Sequence, residues 1–169
     1  RKGLHGASIG NGNEKAVNQL ISHHSIVFEP QKLRVWVSTA PWQLGQYVCY
    51  DLSKVFALEG MKVNREVAED SLGIAPDPFL QTEEFRRFER FRKYKQALMD
   101  GQEVNADSLV ASNPDFYLAY VLAADYLYRK KDFKKALPFY RKALTLEIAT
   151  GNEEAHIRKQ INKIESKQQ

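Results

Sequence analysis

Residues 23–52, HHSIVFEPQKLRVWVSTAPWQLGQYVCYDL, constrain the fold most, because only this stretch reads as sheet. Residues 23–28 carry Ile26, Val27 and Phe28 and stop at the turn signal Glu29-Pro30. Residues 33–39 alternate, with Leu33, Val35 and Val37 on one face and Arg34, Trp36 and Ser38 on the other. Residues 47–52 give a third run rich in Tyr and Val. Alternation with β-branched and aromatic enrichment, bounded by Pro and Gly, predicts three strands. The Glu29-Pro30-Gln31-Lys32 link is short enough for a hairpin, so the first two strands are expected as antiparallel neighbours. Both faces of such a ribbon carry bulky apolar groups. Too small to stand alone, it is expected to be covered on each side as an edge or corner of a larger sheet.

The remaining chain limits the function classes. It begins at Arg1 rather than Met and is read as a trimmed piece of a longer product. Residues 1–80 hold 8 Lys/Arg and 8 Asp/Glu, whereas residues 81–169 hold 17 and 13, which accounts for the net charge of +4. The basic half interleaves its charges (Glu83, Glu84, Arg86, Arg87, Glu89, Arg90), the pattern of solvated helix faces, so no nucleic-acid partner is expected. A single cysteine excludes an internal disulfide framework. No apolar run approaches the roughly 20 residues of a membrane span.

Residues 1–13 hold four glycines but lack the Lys-Ser/Thr of a phosphate loop, and read as a flexible leading loop. Ala16, Val17, Leu20 and Ile21 recur at helical spacing and predict a short helix over 14–22. Asp51 or Ser53 caps a predicted helix over 54–58, ended by Gly60. A further helical turn or two is expected over 63–68. The Gly- and Pro-broken stretch 70–78 reads as a connector, with domains expected at 1–78 and 79–169.

Beyond residue 82 the pattern is helical throughout: 82–99, 106–111, 115–128, 132–147 and 152–166. The run NPDFYLAYVLAADYLYRKKDFKKALPFYRKALTLE resembles a tetratricopeptide repeat, a helix pair of about 34 residues with small residues at the crossing. Tyr120, Ala123 and Ala124 fall on the first-helix positions, and Ala136, Tyr140 and Ala143 on those of the second. Leu127 and Ile148 depart from the pattern. The resemblance implies one repeat, a degenerate hairpin before it and a polar capping helix after it. Peptide or protein contact through this tail would follow, although one repeat makes no large concave groove, and the alternative is a helical appendage that packs on the first domain.

Chemistry-capable residues concentrate around the strands. Adjacent His23 and His24 point to opposite faces in a strand and cannot chelate one metal, so no metal site is expected. One of them can carry a proton or donate a hydrogen bond. Cys49, in mid-strand with no base nearby, reads as a buried small hydrophobe. Ser38, Thr39 and the Pro41-Trp42 turn are candidates for lining a cleft. Spacing alone yields no complete catalytic set.

The same 23–52 run, with its WVST strand and its QLGQYVCYDL segment, resembles the C-terminal part of the acyl-CoA:6-aminopenicillanate acyltransferase-like family. These N-terminal-nucleophile hydrolases are related to the choloylglycine hydrolases, and the likeness is close over residues 15–58. It implies an α+β chain whose short antiparallel strands complete an αββα sheet, followed by the all-helical repeat-like segment. It also implies autoproteolysis that exposes an N-terminal Cys, which attacks an amide or thioester carbonyl with its own α-amino group as base. The only Cys of this chain is internal, so the nucleophile is expected upstream, on a missing part of the same protein. In that frame His24 and Ser25 are the expected supporting catalytic residues, and Trp42 and Trp36 the expected binding residues. The substrate would be a small amide or acyl compound, with no cofactor, in the bacterial cytoplasm or periplasm. The contrasting expectation is a non-catalytic adaptor whose helical repeat binds a peptide.

Overall fold

A computed structural model describes residues 2–58, 60 and 67–167. The fold is mixed α+β: among the described residues it has one three-stranded antiparallel sheet and six α-helices. The chain forms two compact units, Leu20–Thr82 and Arg1–Gln19 with Glu83–Gln169. The leading segment thus belongs with the helices, whereas a division at 78/79 had grouped it with the strands.

In the sheet unit, β1 (Ile26–Glu29), β2 (Arg34–Ser38) and β3 (Tyr47–Asp51) lie in the order β1-β2-β3. The hairpin turns through Pro30–Lys32, and Leu33 takes a left-handed conformation with φ 53°. The next connection folds back through Trp42–Leu44, where the Leu44 N–H donates to Pro41 O at 3.1 Å. Gly45 is required there, since a Cβ would lie 2.2 Å from Thr39 O. The outer edge of β3 is occupied by returning chain through the bridges Tyr47↔Ile74 and Tyr50↔Ala68. No described residue pairs with the outer edge of β1.

Register sorts the side chains into two unlike faces. Ile26, Val37 and Val48 are mutually opposite, as are Phe28, Val35 and Tyr50, so one face is entirely apolar or aromatic. None of these six is buried, and Ile26 and Phe28 are 50% and 66% exposed. The other face carries Val27, Trp36 and Cys49 in register, with Glu29, Arg34 and Asp51 beyond them. Here Cys49 is fully buried. The expectation of cover on both sides is therefore met on one face only among the described residues.

After β3, α1 (Leu52–Phe56) is capped by Asp51, which accepts the Ser53 N–H at 3.0 Å. Most of the turn expected over 63–68 lies outside the described residues. The connector 70–78 forms a 3₁₀ turn, Asp70–Leu72, and contributes Ile74 to the sheet rather than running free.

The helical unit contains α2 (Glu83–Met99), α3 (Ala106–Ser112), α4 (Tyr117–Arg129), α5 (Phe133–Ala143) and α6 (Gly151–Glu165). Its core gathers Phe85, Phe88 and Phe91 from α2 and Ile157, Ile161 and Ile164 from α6. Ala123, Ala124, Ala136 and Ala143 are buried between α4 and α5, where only small side chains let two helices approach. Thr150 and Glu153 form a capping box at the start of α6.

The helix expected over 14–22 does not form; the segment consists of turns and bends. Asn13 Oδ1 accepts the Lys15 N–H at 3.0 Å, a local bond that competes with helix formation. Its supposed apolar face is also divided, because Ala16 and Leu20 are buried while Val17 is 101% exposed.

Candidate functional site

Of the predicted site residues, His24, Ser25 and Trp42 gather at one end of the ribbon, where β1 and β3 begin and β2 ends, and Trp36 does not. His23 and His24 immediately precede β1, both exposed, with ring centroids 6.5 Å apart. Ser25 is fixed by its backbone: its N–H donates to Ser38 Oγ at 3.0 Å, and the Ser38 N–H donates to Ser25 O at 3.0 Å. Thr39 closes the same end, its N–H and hydroxyl both donating to Gln46 O at 2.8 Å. Trp42 sits half-buried in the following turn with φ 51°, an uncommon conformation for so bulky a residue. Trp36 lies farther along β2, on the face that holds Cys49. Its Nε1–H donates to Leu72 O at 2.7 Å, which spends its polar group and leaves only ring surface for contact.

Among the described residues no hydrogen bond joins either imidazole to the Ser25 hydroxyl. This end therefore presents proton carriers, hydroxyls and indole surface, but no assembled base–nucleophile pair. Nor does Cys49 supply a nucleophile. Burial pushes its thiol above the usual range, outweighing the opposing pull of Arg34, while Glu69, Asp51 and Glu29 push the same way. A neutral, enclosed thiol is a poor nucleophile. Among the described residues no three His, Cys, Asp or Glu side chains are grouped to hold a metal ion.

At the opposite end of the Cys49 face lies an ionic cluster that alternation alone left unnoticed. Arg34 stands in register between Glu29 and Asp51, with its guanidinium 3.8 Å from Glu29. Glu29 also pairs with Lys32 at 2.7 Å, and Lys54 with Glu69 at 2.6 Å. The buried Nε of Arg34 has no hydrogen-bond partner among the described residues. The available signal was the hairpin register, which sets the three charges side by side.

The helical unit carries a separate polar cleft of about 460 Å³, lined in part by Ser8, Asn11, Glu84, Arg87, Asn113 and Asp115. Elsewhere in that unit two buried phenols face carboxylates: the hydroxyl of Tyr117 donates to Glu153 and that of Tyr140 to Asp125. His156 Nε2 lies 3.4 Å from the same Asp125 oxygen.

No protein-family model, curated protein or solved structure matches this chain. Among the described residues no helix is long and apolar enough to cross a membrane.

Proposed function

We propose that this chain is the C-terminal portion of an autoprocessed N-terminal-nucleophile amide hydrolase or acyltransferase that acts on C–N amide or thioester bonds. The observation that carries the reading is an apolar sheet face on which, among the described residues, no side chain is buried. Solvated faces of antiparallel sheets are normally polar, yet Ile26, Phe28, Val35, Val37, Val48 and Tyr50 form a face on which nothing is buried. An αββα sandwich supplies what that face lacks, a second sheet packed against it at about 10 Å. The edge of β1, unpaired among the described residues, offers continuity with further strands of the same sheet. The resemblance of residues 15–58 to the acyltransferase-like family supplies the chemistry.

In this reading the nucleophilic Cys lies upstream, consistent with the buried and protonated state of Cys49. His24 and Ser25 stand at the sheet end as supporting residues that donate to the developing oxyanion or position the substrate. Trp42 and the ring face of Trp36 contribute apolar pocket wall. The α4–α5 pair is read as one tetratricopeptide-like repeat, supported by the complete burial of Ala123, Ala124, Ala136, Tyr140 and Ala143.

The test is intact mass and N-terminal sequencing of the protein expressed from the whole parent gene. A cut immediately before an upstream Cys, with this chain inside the larger fragment, is the expected result. A parent that stays uncut, or that has no Cys upstream of Arg1, overturns the proposal.

A further inference from the structure

We infer that residues 83–167 of the helical unit form a receptor for a turn-forming Gly-Asn-Gly-Asn peptide, occupied here by the chain's own residues 8–15. The inference does not rest on the hydrolase reading. Its centre is Asn113, which is 4% exposed and grips both backbone groups of Asn11. The Asn11 N–H donates to Asn113 Oδ1 at 3.2 Å, and Asn113 Nδ2 donates to Asn11 O at 2.7 Å. One side-chain amide satisfying the N–H and C=O of one residue sets register without reading sequence.

Sequence is read on either side of that grip. Asn11 Nδ2 donates to Glu84 Oε1 at 2.9 Å, so a carboxylate receives a neutral amide and would repel an acid. Gly10 has φ +83°, and a Cβ there would lie 2.3 Å from the Cβ of Phe116 and 2.5 Å from its Cα. Only glycine fits that position. Asn13 is fully buried and donates to Glu147 O at 2.8 Å. Lys15 Nζ meets the Glu147 carboxylate at 2.6 Å, and the Ser8 hydroxyl donates to Asp115. Positions 8, 10, 11, 13 and 15 each meet a group from residues 84–147.

The segment behaves as a ligand would. Residues 11–19 contain no regular secondary structure, and beside the local turn bonds at Asn13 the course of residues 11–15 is set by contacts with residues about 70 to 130 positions away. A tethered occupant holds its site at a high effective concentration, so the site is filled in cis unless the strap is displaced. A free peptide of the same sequence should then bind only when the resident strap is weakened.

The experiment uses the full chain and a fluorescein-labelled peptide spanning residues 7–16, read by fluorescence anisotropy. Gly10→Val in the chain drives the strap against Phe116, and the peptide is expected to bind this variant at least about tenfold more tightly than wild type. Adding Asn113→Ala to that variant should abolish binding, as should Asn11→Asp in the peptide. A Gly10→Val chain with wild-type helical circular dichroism that binds no better than wild type overturns the inference. Amide hydrogen exchange keeps the test open should Gly10→Val misfold. In the wild-type chain the Asn11 amide should be protected, and Asn113→Ala should release the strap amides while those of α4 stay protected. An unprotected Asn11 amide in wild type, or equal loss from strap and α4, shows that no separable ligand exists.

Discussion

Cys49 shows how one side chain's chemistry is decided by its neighbours rather than by its type. It lies in the middle of β3, opposite Trp36, with no exposed surface, and burial holds the thiol neutral. Thiol reagents attack the thiolate, so labelling should be suppressed twice, by low access and by low ionisation. Maleimide labelling of the native chain near neutral pH is expected to be at least ~100-fold slower than in concentrated urea, tracking the rarity of local opening. Native labelling as fast as that of the unfolded chain would show that the thiol is open and would make it a candidate nucleophile. His24 and Ser25 present the opposite case: Ser38 fixes the backbone of Ser25 at a sheet end and His24 stands beside it, but among the described residues no bond between them directs their chemistry.

At the scale of elements, the paired phenols of the helical unit make its stability sensitive to alkali. Burial raises the Tyr117 and Tyr140 hydroxyls well above the usual tyrosine range, and the carboxylates of Glu153 and Asp125 raise them further. The folded state therefore keeps these protons after the unfolded chain has begun to lose its own at about pH 10. Because the native state binds more protons there, stability is full below that pH and falls as pH rises. The urea midpoint followed by helical circular dichroism should decline between about pH 9.5 and 11, and Tyr117→Phe with Tyr140→Phe should flatten the decline. A wild-type midpoint that is level across that range contradicts the assignment. These elements were legible in advance because local period and punctuation specify them: the three strands and the helices beyond residue 82 lie within a few residues of their predicted places. The segment 14–22 was not, since its apparent period is overridden by the buried amide of Asn13 and by Glu147, more than a hundred residues away. The candidate site was half legible. Hairpin register implies that residues 25, 38 and 39 share one end, whereas the part-buried indole bond of Trp36 to Leu72 depends on returning chain that periodicity does not report.

For the molecule as a whole, the two units differ in how much apolar surface each encloses. The helical unit buries aromatic and aliphatic side chains from all of α2 to α6, whereas the described part of the sheet unit buries only Leu20, Leu44, Cys49 and Phe79 among its apolar residues. Burial is the dominant favourable contribution to folding, so the sheet unit should open more readily than the helices. Hydrogen exchange on the isolated chain should find β1 and β3 amides exchanging faster than those of α4. The exposed face makes a sharper prediction. Phe28 is 66% exposed, so Phe28→Asp should change the stability of the isolated chain by no more than about 0.5 kcal/mol. Within the two-sheet parent that we propose, the same substitution would place a carboxylate between two packed sheets, where an unpaired charge is strongly disfavoured. The variant should therefore be silent in the isolated chain but lower the yield of folded, self-processed parent. Equal tolerance in both settings would mean that nothing covers this face and that the sheet is already complete.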